Sequence, residues 1–147
     1  MEIIIGKRTI PLLLTTFELI EIQNEIGCTV AQLRDEVFGV YQDEENGPEG
    51  KPKWHFSVAT DGKKMEKLGK LIRITGNAGL EDAGQDPDLT DKWILRNIKP
   101  AMVLPIALVM MTVVNESMMI ESAKNEENSG PVDVTIEEEN RKKEPRK

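Results

Sequence analysis

Residues able to do chemistry are few in this sequence, and they are scattered. His55 is the only histidine and Cys28 the only cysteine. General acid–base work near neutral pH would fall to His55, because imidazole titrates there without perturbation. It stands between Trp54 and Phe56, which reads first as a packed structural ring. Cys28 follows a helix-ending glycine and precedes a helix start, where the helix N-terminus can depress a thiol pKa. With no second cysteine and one distant histidine, a buried or incidental thiol is the simpler reading, and no Cys/His set has zinc spacing. Gly76-Asn77-Ala78-Gly79 has the glycines of a phosphate loop. It lacks the Gly-Lys-Ser/Thr ending and Rossmann spacing, so a helix stop and turn is expected. Asp82, Asp86, Asp88 and Asp91 offer oxygen donors for Ca²⁺, but not in EF-hand order and without its terminal glutamate. No catalytic residue, no cofactor and no metal is therefore expected, and the chain reads as a non-enzyme.

The most apolar stretch is residues 101–120, with five methionines: Met102, Met110, Met111, Met118 and Met119. Nothing polar interrupts it from Ala101 to Met111. A helix apolar on nearly every face is buried centrally or covered by a partner. A bilayer span needs about 20 apolar residues, and Thr112, Asn115, Glu116 and Ser117 break this run, so no membrane helix is expected. Methionine is over-used on surfaces that accept varied apolar partners. The stretch reads either as core filling or a homo-oligomer interface, or as a client-binding surface, and the two can coexist.

The chain has 147 residues, 39% hydrophobic and 4% aromatic, with a net charge of −7. That length suits one domain, with a core of Leu, Ile, Val and Met. The acidic balance disfavours nucleic acid and anionic membrane, which need clustered Lys and Arg. A single cysteine excludes an internal disulfide, and Ile3-Ile4-Ile5 is too short for a signal h-region. Both fit a reducing cytoplasm.

The elements that must position these residues follow from pattern and punctuation. Residues 2–14 read as a β-hairpin turning at Gly6-Lys7-Arg8, with Pro11 placing the second strand at an edge. Such a hairpin is marginal alone, so it must pack on the helices or pair with another copy through Ile3, Ile5, Ile10 and Leu12. Thr15-Thr16-Phe17-Glu18 has the capping-box form and opens a helix ending at Gly27, with Leu19, Ile22 and Ile26 close to a Phe17–Ile20 face. Thr29-Val30-Ala31-Gln32 opens a second helix, with Val30, Leu33, Val37 and Phe38 as its stripe and Gly39 as its stop. Residues 42–53 carry two prolines and two glycines among acidic groups and read as a mobile loop. Trp54-His55-Phe56 returns the chain to the core. A helix over about 63–75 buries Met65, Leu68, Leu71, Ile72 and Ile74, and the 76–79 glycines break it. Leu89-Thr90 caps a helix over about 91–98, with Trp93, Ile94 and Ile98 inward. Pro100 marks a joint, and the apolar helix then runs to about Ser122. Residues 123–147 read as a disordered charged tail. The fold class is mainly α (α+β): one helical domain over 1–122 with an N-terminal β-hairpin, then the tail.

This order of features resembles the tail assembly chaperones of long-tailed phages and prophages of Gram-positive hosts. The resemblance covers about residues 2–121. It rests on the β start leading into Thr15 to Gly27, on Lys67-Leu68-Gly69-Lys70-Leu71-Ile72-Arg73-Ile74-Thr75-Gly76-Asn77-Ala78-Gly79-Leu80, on Asp88-Leu89-Thr90-Asp91-Lys92-Trp93-Ile94, and on Ile98-Lys99-Pro100 before an apolar helix ending in Asn115-Glu116-Ser117-Met118. It implies a small non-enzymatic protein of the host bacterial cytoplasm, absent from the mature virion. Such a protein binds and solubilises the tape measure protein and helps recruit tail tube protein subunits. The family also implies a longer frameshifted form, for which codons at Arg141-Lys142-Lys143 would be the candidate slippery site. The client surface inferred from chemistry is Met102, Leu104, Leu108, Met110, Met111, Met118 and Met119. The alternative is a minor structural tail component, a tube or completion protein, that forms rings through its hairpin edges.

Overall fold

The computed structural model describes residues 1–46 and 52–119 of the chain. The chain divides into two units, Met1–Val114 and Asn115–Lys147. The expected tail over 123–147, with the Arg141-Lys142-Lys143 run, lies outside the described residues.

The fold is mainly helical, opening with the expected antiparallel hairpin. Strands β1 (Glu2–Ile5) and β2 (Arg8–Pro11) pair with Ile3 opposite Ile10 and Ile5 opposite Arg8. Gly6 turns them with φ +64°. The period of two sends Ile3, Ile5 and Ile10 inward and leaves Ile4 outward at 64% exposure. Helix α1 (Thr16–Ile26) carries the expected capping box, with the Thr15 backbone N–H donating to Glu18 Oε1 at 2.8 Å. Gly27 closes it at φ +85°. Its buried face is Glu18, Ile22 and Ile26, while Phe17 and Ile20 are 66% and 56% exposed. This corrects the expected Phe17–Ile20 face. The 18–22–26 ladder repeats every four residues, and Phe17 and Ile20 fall outside it.

The second capped segment forms as a 3₁₀ turn (Val30–Gln32) and a π-type turn (Arg34–Phe38), buried through Leu33, Val37 and Phe38 and ended by Gly39 at φ +61°. Residues 42–53 depart from the expected loop. Strands β3 (Val40–Asn46) and β4 (Pro52–Phe56) extend into them as a second hairpin, with Val40 opposite Phe56 and Tyr41 opposite His55. Backbone pairing needs no apolar side chain, so the polar composition hid the ladder. Residues 47–51 lie outside the described residues.

Helix α2 (Gly62–Asp82) passes straight through Gly76-Asn77-Ala78-Gly79, where a break was expected. The glycines stay helical because β2 lies across them. A Cβ at Gly79 would collide with the Pro11 carbonyl, and one at Gly76 would sit 2.6 Å from Leu89 Cδ1 and 3.0 Å from Ile10 Cγ2. The Leu13 N–H donates to the Thr75 carbonyl at 3.0 Å beside them. Asn77 then holds the following loop. Its Nδ2 donates to the Leu89 carbonyl at 3.2 Å, and its Oδ1 accepts the Leu89 N–H at 2.9 Å.

Helix α3 (Asp91–Arg96) is capped by Thr90, whose Oγ1 accepts the Trp93 N–H at 3.1 Å. Arg73 of α2 donates Nε to Asp91 at 2.6 Å and binds Glu25 of α1 with its other face. Burial opposes the guanidinium charge, but those hydrogen bonds outweigh it and raise its pKa. A 3₁₀ turn, Pro100–Met102, leads into α4 (Val103–Ser117), which ends at Ser117 rather than near Ser122. Asn115 and Glu116 accept the closing turn from Met118 and Met119.

Two predictions follow the packing. Gly→Ala in an exposed helix typically gains about 0.5–1 kcal/mol. At Gly79 it should instead cost about 2 kcal/mol or more, because the obstruction is backbone. Gly62→Ala, with nothing within 4 Å, should be neutral or stabilising. Urea unfolding of both variants checks this, and a stable Gly79→Ala would refute the close crossing. The second concerns Asp88, whose oxygen meets Arg8 at 2.7 Å. The Arg8 hydrogen bond holds the Asp88 carboxyl below its usual range. A depressed folded pKa stabilises above the unfolded value of about 4 and loses that stability as pH falls through the folded value. Asp88→Asn should therefore lose less stability than the wild type between about pH 5 and pH 2.

Candidate partner-binding surfaces

Helix α4 presents an apolar face on each side. Pro105 fits its first turn, where a missing N–H costs nothing. Val103, Ile106, Ala107, Met110, Val113 and Val114 are buried, an i, i+3, i+4, i+7 stripe. On the other side Met102, Leu104 and Leu108 are exposed by 46%, 38% and 46%. Met111 is half-buried beside them. Thr112 Oγ1 donates back to the Leu108 carbonyl at 3.0 Å, so it adds no unsatisfied polar group. No charged residue lies between Lys99 and Glu116. The helix with its leading turn, Pro100–Ser117, is apolar and long enough by length and composition to cross a membrane, at mean hydropathy 1.5, and a third of it is buried in the fold.

The structure divides the expected client residues. Met102, Leu104, Leu108, Met118 and Met119 are exposed and Met111 is half-covered, but Met110 is fully buried and belongs to the core. Met118 and Met119 fall in the second unit. The four self-association residues are also corrected. Ile3, Ile5, Ile10 and Leu12 are all buried, because alternation turns them onto the helices. The exposed side chains of β1 are Glu2 and Ile4.

The remaining candidates sit apart from one another. His55 stacks on Tyr41 across the β3–β4 hairpin, centroids 5.1 Å apart. Cys28 is buried, and burial pushes its thiol pKa up although Lys67 pulls the other way. Asp88 is paired with Arg8 and Asp91 with Arg73. Among the described residues no three His, Cys, Asp or Glu side chains converge as a metal site.

Two features had no sequence signal, because their walls come from distant segments. One is an apolar groove of about 270 Å³ between α2, α3 and the turn before α4, lined by Met65, Leu68, Gly69, Leu95, Ile98 and Val103 among others. Leu95 packs against Gly69, where a Cβ would lie 3.0 Å from its Cδ2. The other is a smaller cleft of about 140 Å³ between α1 and α2, where Phe17, Glu21, Arg73 and Glu81 meet. Partial burial, then Glu25 and Glu18, raise the Glu21 pKa against the pull of Arg73.

No protein-family model matches this chain, and neither a curated protein nor a solved structure matches it.

The Glu21 environment carries its own prediction. A carboxyl with a raised folded pKa contributes stability below its unfolded value of about 4.3 and loses it as pH rises through the folded value. Glu21→Gln should thus be more stable than the wild type at pH 7, with the gain shrinking toward pH 3. Urea titrations at the two pH values measure it; a loss at pH 7 would contradict the repulsion.

Proposed function

We propose that this protein is a phage tail assembly chaperone, which binds and solubilises the tape measure protein and helps recruit tail tube subunits in the host cytoplasm. The observation that carries the reading is the uncharged outer face of α4. Met102, Leu104 and Leu108 remain exposed on a helix whose opposite side is already satisfied by the core. A holdase needs apolar area for its client and net charge to keep the complex soluble; here a charge of −7 accompanies that face. The client is an apolar segment of the tape measure protein, and adaptable methionines suit varied client sequences. A longer frameshifted form and homo-oligomers belong to the same proposal. A second reading, a minor structural tail component that forms rings, draws support from the outer strand edges of both two-stranded sheets, since an open edge can template pairing with another chain.

Co-expression with a tape measure protein tests the proposal. The client's soluble fraction should rise and the two should co-purify. Leu104→Asp with Leu108→Asp should abolish this and leave the thermal unfolding curve near that of the wild type. Met110→Asp should instead unfold the chain, since it places a charge in the core. A client that stays insoluble while this chain alone forms rings would favour the structural component.

A further inference from the structure

The groove between α2, α3 and the turn before α4 differs in charge from the chain that surrounds it. Its floor is apolar: Met65, Leu68, Leu95, Ile98 and Val103. The free charges that flank it in sequence are mostly basic, and among the described residues Glu66 is the one free carboxylate in its lining. Lys92, Arg96 and Lys99 are exposed along α3 and the segment that continues past Ile98. Lys63 is exposed next to Gly62, which lines the groove's other wall. None of these four has a carboxylate within ion-pair distance among the described residues. The neighbouring acids are engaged elsewhere, Asp61 by Lys64 and Asp91 by Arg73, which leaves Glu66 as the acidic group lining the groove. A chain of net charge −7 thus concentrates unpaired cations around an apolar depression.

We propose that this groove docks an acidic peptide segment of a partner protein, one that carries large apolar side chains flanked by Asp or Glu. The volume, about 270 Å³, exceeds that of an apolar cavity of about 150 Å³ that accommodates benzene, so it admits one aromatic or two aliphatic side chains. The α2 wall from Gly62 to Gly69 rises about 10 Å, the length of two turns of a bound helix. Apolar contact supplies affinity, and the basic rim selects the sign of the partner and speeds its encounter. The site is separate from the outer face of α4, and the inference stands whether or not that face holds a chaperone client.

Fluorescence anisotropy of the full chain with two labelled peptides tests the proposal. Both are 14-residue amphipathic peptides with the same Leu and Phe spacing, one with Glu and one with Lys on the polar positions. The Glu peptide should bind, and its affinity should fall as salt rises from 50 to 500 mM. The Lys peptide should bind at least about tenfold more weakly. Combined Lys92→Glu, Arg96→Glu and Lys99→Glu should reverse that preference, and Leu95→Ser should weaken the Glu peptide about tenfold. Leu108→Asp, on the outer face of α4, should leave it unchanged. Circular dichroism confirms folding, and Arg96→Gln with Lys99→Gln replaces the triple variant if it does not fold. Equal binding of the two peptides, binding of neither, or loss through Leu108→Asp alone would overturn the proposal. So would sedimentation showing a dimer whose formation excludes the Glu peptide, since the occupant would then be a second copy.

Discussion

The structure depends on a close crossing of backbone over backbone, where the end of β2 passes over the C-terminal part of α2. Gly79 lets the Pro11 carbonyl approach the helix, Gly76 admits Ile10 and Leu89, and the Leu13 N–H reaches the Thr75 carbonyl. A two-stranded hairpin has little stability of its own in water. Seated on α2, it buries Ile3, Ile5 and Ile10 in the main core. The crossing therefore fixes both which side of the hairpin faces inward and which side of α2 is covered.

Polar fastenings complete what the crossing begins. Arg73 joins Glu25 of α1 to Asp91 of α3 from its place on α2. Asn77 gives the Leu89 backbone both a donor and an acceptor, so a stretch without regular structure is held as a strand neighbour would hold it. Arg8 meets Asp88 and lies over the Trp93 ring, 5.7 Å from its centroid. The Arg73 and Asn77 contacts join distant segments to α2, Arg8 ties the first hairpin to the stretch from Asp88 to Trp93, and all of them are part-buried or exposed. Their value lies more in specifying arrangement than in raw stability.

Helix α4 shows how one apolar sequence serves two environments. Its inward stripe runs through Met110 to Val114, while Leu104 and Leu108, on the other side of the helix, stay in solvent. The leading turn also closes the groove walled by α2 and α3. An uncharged outer face and a basic-rimmed groove thus lie near the same turn, with different chemistry and different expected partners.

Much of the local structure is written in the residues themselves. Thr15 with Glu18, Thr29 with Gln32, and Thr90 announce their caps, and Gly27 and Gly39 announce their stops, because capping and left-handed turns are decided within a few residues. The β-branched run Ile3-Ile4-Ile5 likewise announces a strand. The polar run of residues 42–46 conceals its ladder, since backbone pairing leaves no mark in side-chain type. Tertiary structure alone decided the rest. Gly76 and Gly79 look like a helix break until β2 is placed across them. Met110 looks like its exposed neighbours until the core takes one side of α4. The groove has no signature at all, since its walls meet only when α2, α3 and the turn before α4 are brought together.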